Sequence, residues 1–278
     1  MQQTRQYLIE ILALGGYELP GQTSLILLQH ALHQPKTWVL SHGEFELNQD
    51  QQHKLHTYLQ QCLQGVPLPY VLGRWVFFGR SFQVTPAVLI PRPETEGLVE
   101  IALEHAHSYL NPKIIDVGTG SGAIAVSLAA ELPTATVLGV DLSMDALRVA
   151  QSNAQRLCPN RVHFLQGNLL APFAAQFDLI CANLPYIPRA ILADLPVSHW
   201  EPRLALDGGK SGLDSIHHLL EQAQSRLSPN GVILLETESS LGAETLSAAQ
   251  EAFPTAHHRL IPDLAGHDRI VEIKLRRK

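Results

Sequence analysis

The residues best suited to chemistry fall into two short runs. The first is Gly118-Thr119-Gly120-Ser121-Gly122, entered from Lys113-Ile114-Ile115-Asp116-Val117 and followed by the apolar stretch Ala123–Leu132. Glycines there let the chain turn sharply and approach a ligand closely, and the opening turn of a following helix offers unpaired N–H groups. The next apolar run ends in Asp141, about twenty residues on, where a carboxylate accepts both hydroxyl protons of a ribose. The second run, Asn183-Leu184-Pro185-Tyr186, ends the apolar stretch Phe177–Ala182. Asn183 carries an amide oxygen, and Pro185 stiffens the chain and removes an N–H, so the Leu184 carbonyl can point into a pocket. Tyr186 adds a flat face. Together they form a clamp for a planar –NH2 group, with two acceptors for two N–H protons and a ring alongside.

Such a clamp has a purpose. An amide or exocyclic amine is a poor nucleophile because its lone pair is delocalised. Two acceptors that hold both protons aim the lone pair and favour the sp3 geometry of the transition state. A sulfonium methyl is already activated by its positive charge, so orientation would supply much of the rate. Other chemistries lack their residues. No Lys follows the glycines as in a phosphate-binding loop, and no nucleophile elbow is present. A dinucleotide fingerprint is met only loosely, by Gly118, Gly120 and Ala123. Each run also has a plainer reading, as a tight turn without a ligand or a Pro-containing turn after a buried strand; their placement on one sheet edge favours the clamp. The 14 histidines include His30/His33, His53/His56 and the pairs His217-His218 and His257-His258. No HExxH or Cys–His cluster accompanies them, so they read as solvated helix faces and no metal is expected.

The elements that must carry these runs alternate. Predicted helices span 3–15, 22–33 and 48–64, the last with Asn48 as N-cap. This Gln- and Leu-rich section reads as a helical bundle over 1–69. The segment 70–90, dense in Val, Phe and Trp and interrupted by Gly73 and Gly79, reads as a linking β-hairpin. From 91 to 278 the order is helix (94–110), strand (113–117), helix (122–132), strand (136–141), helix (143–157) and strands at 161–166 and 177–182. A helix (212–227) and strands at 232–236 and 269–275 finish the chain. That alternation calls for a mostly parallel sheet covered on both faces, an α/β fold, with the late strands open to antiparallel pairing. Trp38, Trp75 and Trp200 are read as core or interface anchors. Arg92 and Glu94 are placed either at the substrate mouth or as pins of the linker.

Length and composition bound the rest. The chain has 278 residues, 45% hydrophobic and 17% charged, enough for a packed core and against disorder. A net charge of −6 disfavours a bulk-basic nucleic-acid binder. The closing Lys274, Arg276, Arg277 and Lys278 read as a solvated tail. Cys62, Cys158 and Cys181 are scattered and odd in number, against a disulfide framework or zinc ribbon. With neither a signal-like N-terminus nor an uninterrupted apolar span, a cytoplasmic protein with no membrane partner is expected.

The sequence resembles the Rossmann-like S-adenosylmethionine-dependent methyltransferases and, more closely, the release-factor glutamine N5-methyltransferase family, the PrmC/HemK proteins. The resemblance covers nearly the whole chain. Gly65-Val66-Pro67-Leu68-Pro69-Tyr70 with Gly73 is similar to the family's interdomain segment. Leu89-Ile90-Pro91-Arg92-Pro93-Glu94-Thr95-Glu96 resembles its entry motif and is the most family-specific string. Asp116–Gly122 is similar to the cofactor loop. Glu201-Pro202-Arg203, Ala205-Leu206-Asp207-Gly208-Gly209 and Gly212-Leu213 are similar to the stretch after the clamp, and Asp263, Gly266 and Asp268-Arg269 to the C-terminal signature. The resemblance implies methyl transfer from S-adenosylmethionine, leaving S-adenosylhomocysteine, to the Gln of a release factor's Gly-Gly-Gln loop. It implies Gly118, Thr119, Gly120, Ser121, Gly122, Asp141 and Asn183 around the cofactor, with Leu169 flanking the adenine. It places Asn183, Leu184, Pro185 and Tyr186 around the glutamine amide, Asn183 and Tyr186 as the catalytic pair, with the helical bundle recognising the substrate. A monomer that binds no nucleic acid directly is expected. Three positions depart from the family pattern. Leu184 replaces the first Pro of Asn-Pro-Pro-Tyr, a spelling also similar to ribosomal RNA adenine N6-dimethyltransferases. Asn168 stands where an acid is common beside the adenine amine. Leu235-Glu236-Thr237-Glu238 lacks the usual Gly and Gln, and the sequence offers no physical account of that change. The alternatives are transfer to an adenine amine of RNA or DNA, transfer to a ribosomal-protein Gln, and a non-catalytic nucleoside-binding or ribosome-docking module.

Overall fold

In a computed structural model that describes residues 1–275, the chain divides into two units, Met1–Gly73 and a second beginning at Arg74. The first contains α1 (Gln2–Leu14), α2 (Pro20–Leu32), α3 (Lys36–Ser41), α4 (Gln49–Leu63) and α5 (Leu68–Leu72). Leu8, Leu12, Leu27, Leu28, Leu55 and Leu59 are buried within it. Asn48 begins α4 in a capping box: its side chain accepts from Gln51 N at 2.9 Å, and Gln51 Oε1 accepts from Asn48 N at 3.0 Å. The interdomain string around Pro67–Tyr70 coils into α5, which takes in the first residues of the 70–90 segment read as a hairpin. Pro69 sits in its first turn, where a missing N–H costs nothing, and Gly73 closes it in the left-handed region at φ 69°.

The second unit opens with the hairpin β1 (Arg74–Phe77) and β2 (Arg80–Gln83). Phe78 and Gly79, both at positive φ, form its two-residue turn. Phe77 and Phe82 are fully buried, and Phe78 N donates to Glu96 Oε1 at 2.7 Å. There follow α6 (Glu96–Ala106), β3 (Lys113–Val117), α7 (Ala123–Glu131), β4 (Thr136–Asp141), α8 (Met144–Leu157), β5 (Val162–Gln166) and β6 (Phe177–Ala182). The chain ends with α9 (Arg189–Leu192), α10 (Asp214–Ala223), β7 (Leu227–Glu236), α11 (Gly242–Ala252), β8 (His257–Pro262) and β9 (Asp268–Lys274). The predicted solvated tail falls largely outside the described residues.

One seven-stranded sheet runs β5-β4-β3-β6-β7-β9-β8. It is parallel through β7, and β9 pairs antiparallel with both β7 and β8. Alternate strand residues feed two cores. Ile114 and Leu179 pack with α6, α7 and the hairpin phenylalanines, while Ile115 and Ile180 pack with α10 and α11. This is the Rossmann-like α/β architecture, and strands covered on both faces read as continuous apolar runs for this reason. The short helices α3, α5 and α9 escape the sequence reading, and so do two longer elements. β8 is an edge strand with polar, half-exposed residues, and α11 is rich in Ala with a weak apolar stripe. Among the described residues, no helix is long and apolar enough to cross a membrane.

Candidate active site

The sheet order reverses beside β3, whose neighbours are β4 and β6. Open parallel sheets bind ligands in the crevice at the carboxyl ends of strands at such a point. The register is explicit: Val117 pairs with Val140 on one side and with Ala182 on the other. Gly118, Asp141 and Asn183 each follow by one residue, so the two runs singled out by their chemistry leave adjacent strand ends. A cavity of about 400 Å³ lies between them, within the range of small-ligand sites.

On one side the glycine loop is braced from below. Asp116 Oδ2 accepts the Thr119 hydroxyl at 2.6 Å and Ala125 N at 3.1 Å, fixing the start of α7. Burial pushes the Asp116 carboxyl up to about 7. Asp141 Oδ2 accepts Gly120 N at 2.9 Å and Oδ1 accepts Ser143 N at 2.8 Å. Burial raises its pKa, while those N–H groups pull it down. A carboxylate has about four lone-pair sites, so Asp141 keeps acceptor capacity for ribose hydroxyls. Gly118 stands at φ 73°, and a Cβ there would meet Leu184 Cδ2 at 3.0 Å; the cradle depends on the missing side chain. Thr119, Gly120 and Ser121 also line the cavity. Gly122 does not, because it packs on α8, where an added Cβ would meet Ala150 Cβ at 3.2 Å. Asn168 and Leu169 form part of the wall, and Leu169 is held in the left-handed region at φ 53°. A branched side chain rarely adopts that backbone unless its surroundings impose it. Donors, acceptors and volume suit S-adenosylmethionine.

On the other side, Asn183 Nδ2 donates to Thr95 Oγ1 at 3.1 Å, which leaves Oδ1 at the opposite end of the amide. Asn183, Leu184 and Pro185 line the cavity. The Leu184 side chain is buried and packs over Gly118, so this departure from the family spelling fills the space between the two loops. Tyr186 is not part of the lining. It is half-buried, and its hydroxyl pKa is raised first by burial and then by Glu236, with Arg269, Arg92 and Glu238 also in range. Past the clamp, Ile187 N donates to Leu206 O and Gly208 N to Ile187 O. Gly208 is required there, because a Cβ would lie 2.7 Å from the Tyr186 backbone.

The entry motif serves the mouth. Arg92 lines the cavity and is held by buried Glu201 at 2.5 Å. Glu94 does not line it but lies within electrostatic reach of Glu236. Two further residues carry weight that sequence reasoning missed. Asn153, fully buried on α8, donates through Nδ2 to Ser121 O at 2.9 Å and Gln83 O at 3.0 Å. Glu236, at the end of β7, is buried with Oε2 unpartnered. An Asn on an otherwise apolar helix face is the one signal that could have found the first. In the segment that departs from the family pattern, Thr237 is buried, its hydroxyl 3.0 Å from that of Thr245 on α11. Among the described residues, no cluster of metal-ligating side chains occurs.

Comparison with known proteins finds relatives for both parts of the chain. Residues 3–73 match the PrmC N-terminal domain and residues 110–264 a methyltransferase domain. A release factor glutamine methyltransferase from Moorella thermoacetica is 42% identical over 261 residues, 93% of this chain and 92% of that protein. One from Vibrio cholerae is 35% identical over 94% of this chain and 92% of its own length. Among solved structures, a methyltransferase from Pyrococcus furiosus (17% identity, TM-score 0.53) covers 83% of this chain and all of its own. A ribosomal protein L11 methylase from Lactobacillus delbrueckii subsp. bulgaricus (21%, TM-score 0.51) covers 70% of this chain and 84% of its own. These two establish likeness of fold alone. By identity and coverage, the chain belongs to the release factor glutamine methyltransferase family.

Proposed function

We propose that this protein transfers a methyl group from S-adenosylmethionine to the side-chain amide nitrogen of the Gln in the Gly-Gly-Gln loop of peptide chain release factors, in the cytoplasm and as a monomer. The observation that carries this reading is the β3–β6 register, which sets Gly118 and Asn183 on adjacent strand ends over one cavity. When bound, S-adenosylmethionine supplies a methyl made electrophilic by the neighbouring sulfonium charge. The backbone of Gly118–Ser121 cradles it, with Gly122 anchoring the end of the loop against α8. Asp141 accepts the ribose hydroxyls, Leu169 flanks the adenine and Asn168 accepts from its amine. Asn183 Oδ1 and the Leu184 carbonyl accept the two N–H groups of the glutamine amide. Holding both hydrogens turns the nitrogen lone pair toward the cofactor and stabilises the nitrogen as it becomes pyramidal. Pro185 keeps the Leu184 carbonyl in place, and Tyr186 closes the acceptor side beside Glu236. The helical unit takes hold of the release factor itself.

The test is mass spectrometry of a release factor after incubation with enzyme and cofactor. A gain of one methyl on the Gly-Gly-Gln glutamine is expected. Methyl found instead on ribosomal RNA or on a ribosomal-protein Gln would replace this substrate with another. Asn183→Ala is expected to lower kcat by about 10²–10³-fold while calorimetry shows cofactor affinity nearly intact. Asp141→Ala is expected to do the reverse, weakening the cofactor by about tenfold or more.

A further inference from the structure

An asparagine amide is nearly symmetric in shape, with an acceptor at one end and two donors at the other. The proposed clamp works only if the oxygen faces the substrate. The structure offers a reason for one orientation, and it lies behind the cavity wall. Asn183 Nδ2 donates to Thr95 Oγ1 at 3.1 Å, and both residues line the cavity. Behind them sits the Glu236 carboxyl, 2% exposed and absent from the lining. It faces the Thr95 hydroxyl and the Asn183 amide, both of which favour its charged form. Its Oε2 has no partner.

We infer that Glu236 is a positioning residue: it sets the polarity of a buried relay, Asn183 to Thr95 to Glu236, and thereby holds Asn183 Oδ1 toward the glutamine amide. An ionised carboxylate only accepts, so only donors can face it. The Thr95 hydroxyl must then turn its hydrogen to Glu236, which leaves its lone pairs for Asn183 Nδ2. With the amine end engaged inward, the oxygen end faces the cavity. Protonation of Glu236 removes that constraint, because a carboxylic acid can donate to Thr95 and reverse the relay. The groups that face Glu236 come from each neighbouring element. Arg269 on β9 favours its charged form, while Glu94 before α6 opposes it and Tyr186 after β6 lies in its field. Arg269 is itself held by Asp263 at 3.1 Å. Burial outweighs the favourable partners and lifts the carboxyl to about 7. The inference rests on the proposed clamp.

Glu236→Gln keeps the shape and loses the acceptor-only character. It is expected to lower kcat roughly 100-fold, the scale of a misplaced reacting group, with cofactor Kd and release-factor KM within about threefold of wild type. Wild-type kcat should rise with pH through about 7 as Glu236 ionises, and that limb should vanish in E236Q. Should E236Q not fold, Thr95→Val breaks the relay at its middle, and Thr95→Ser should recover most of the lost rate. A second readout needs no turnover. The Asn183 side-chain NH₂ resonances of the full chain, assigned by their loss in Asn183→Asp, should shift as Glu236 titrates and stay fixed in E236Q. Wild-type kcat in both E236Q and T95V, or Asn183 resonances that titrate alike with and without Glu236, overturns the relay. A wild-type enzyme that leaves release-factor glutamine unmethylated defeats the substrate assignment instead, and the resonance titration still decides the relay.

Discussion

Asp116 shows how one buried carboxyl ties the site to pH. It is fully buried beneath the glycine loop, its Oδ2 holds Thr119 and Ala125, and its Oδ1 has no partner. Burial lifts its pKa to about 7 in the folded protein, against about 3.9 in an unfolded chain. The folded state therefore holds this proton more tightly than the unfolded state. The resulting stabilisation is complete below the unfolded pKa and disappears as pH rises through about 7. Denaturant titrations should show stability falling by a few kcal/mol between about pH 4 and about pH 7. Asp116→Asn, which keeps an acceptor oxygen and cannot ionise, should remove part of that fall; Glu236 and Asp141, whose carboxyls burial also pushes up, contribute to the rest. An unchanged slope in the variant would mean Asp116 is ionised in both states. Residues of this kind were legible from type and spacing: Gly118, Asp141 and Asn183 each follow a predicted strand and fall at one crevice. Glu236 was not, because its role lies in orienting another residue far away in sequence, and no local spacing encodes that.

The elements position the site through a few buried polar ties. α8 presents Ala146, Leu147, Val149, Ala150 and Ala154 to the interior, and Asn153 interrupts that face. Its amide joins three pieces of chain, accepting Gln83 N at 2.7 Å and donating to Gln83 O and Ser121 O. Truncation leaves buried backbone groups unpaired, at about 1–3 kcal/mol each. Asn153→Ala should thus lower the melting temperature by several degrees and weaken the cofactor, since Ser121 belongs to its loop. Thermal melts with and without S-adenosylmethionine check both; a destabilised variant with unchanged cofactor stabilisation would confine Asn153 to the hairpin. The parallel core strands were readable, being apolar runs between a glycine turn and helices. β7 begins at Leu227 rather than at the predicted Val232, because Ser228-Pro229-Asn230 looks like a loop and joins the sheet through a register shift beside β6. β8 and α11 lack a strong period, and pairing with β9 and packing on the sheet hold them instead.

At the scale of the whole molecule, every residue lining the cavity lies between Ala87 and His218, within the second unit. The glycine loop, Asp141, Leu169 and the clamp are therefore built without the helical unit Met1–Gly73, which closes on its own leucine core. This separates two properties that a single active site usually joins. A fragment beginning at Arg74 should bind S-adenosylmethionine with a Kd within about threefold of the full chain, because none of the proposed cofactor contacts is removed. If the helical unit recognises the release factor, the same fragment should lose transfer to the folded protein substrate. The loss should appear as a raised KM, since binding remote from the reacting centre contributes to affinity and orientation. Calorimetry and initial-rate measurements on fragment and full chain read the two properties separately. Transfer by the fragment at full-chain kcat/KM would assign substrate recognition to the second unit. There the arginines at the cavity mouth, Arg92, Arg189 and Arg203, would be the first residues to replace.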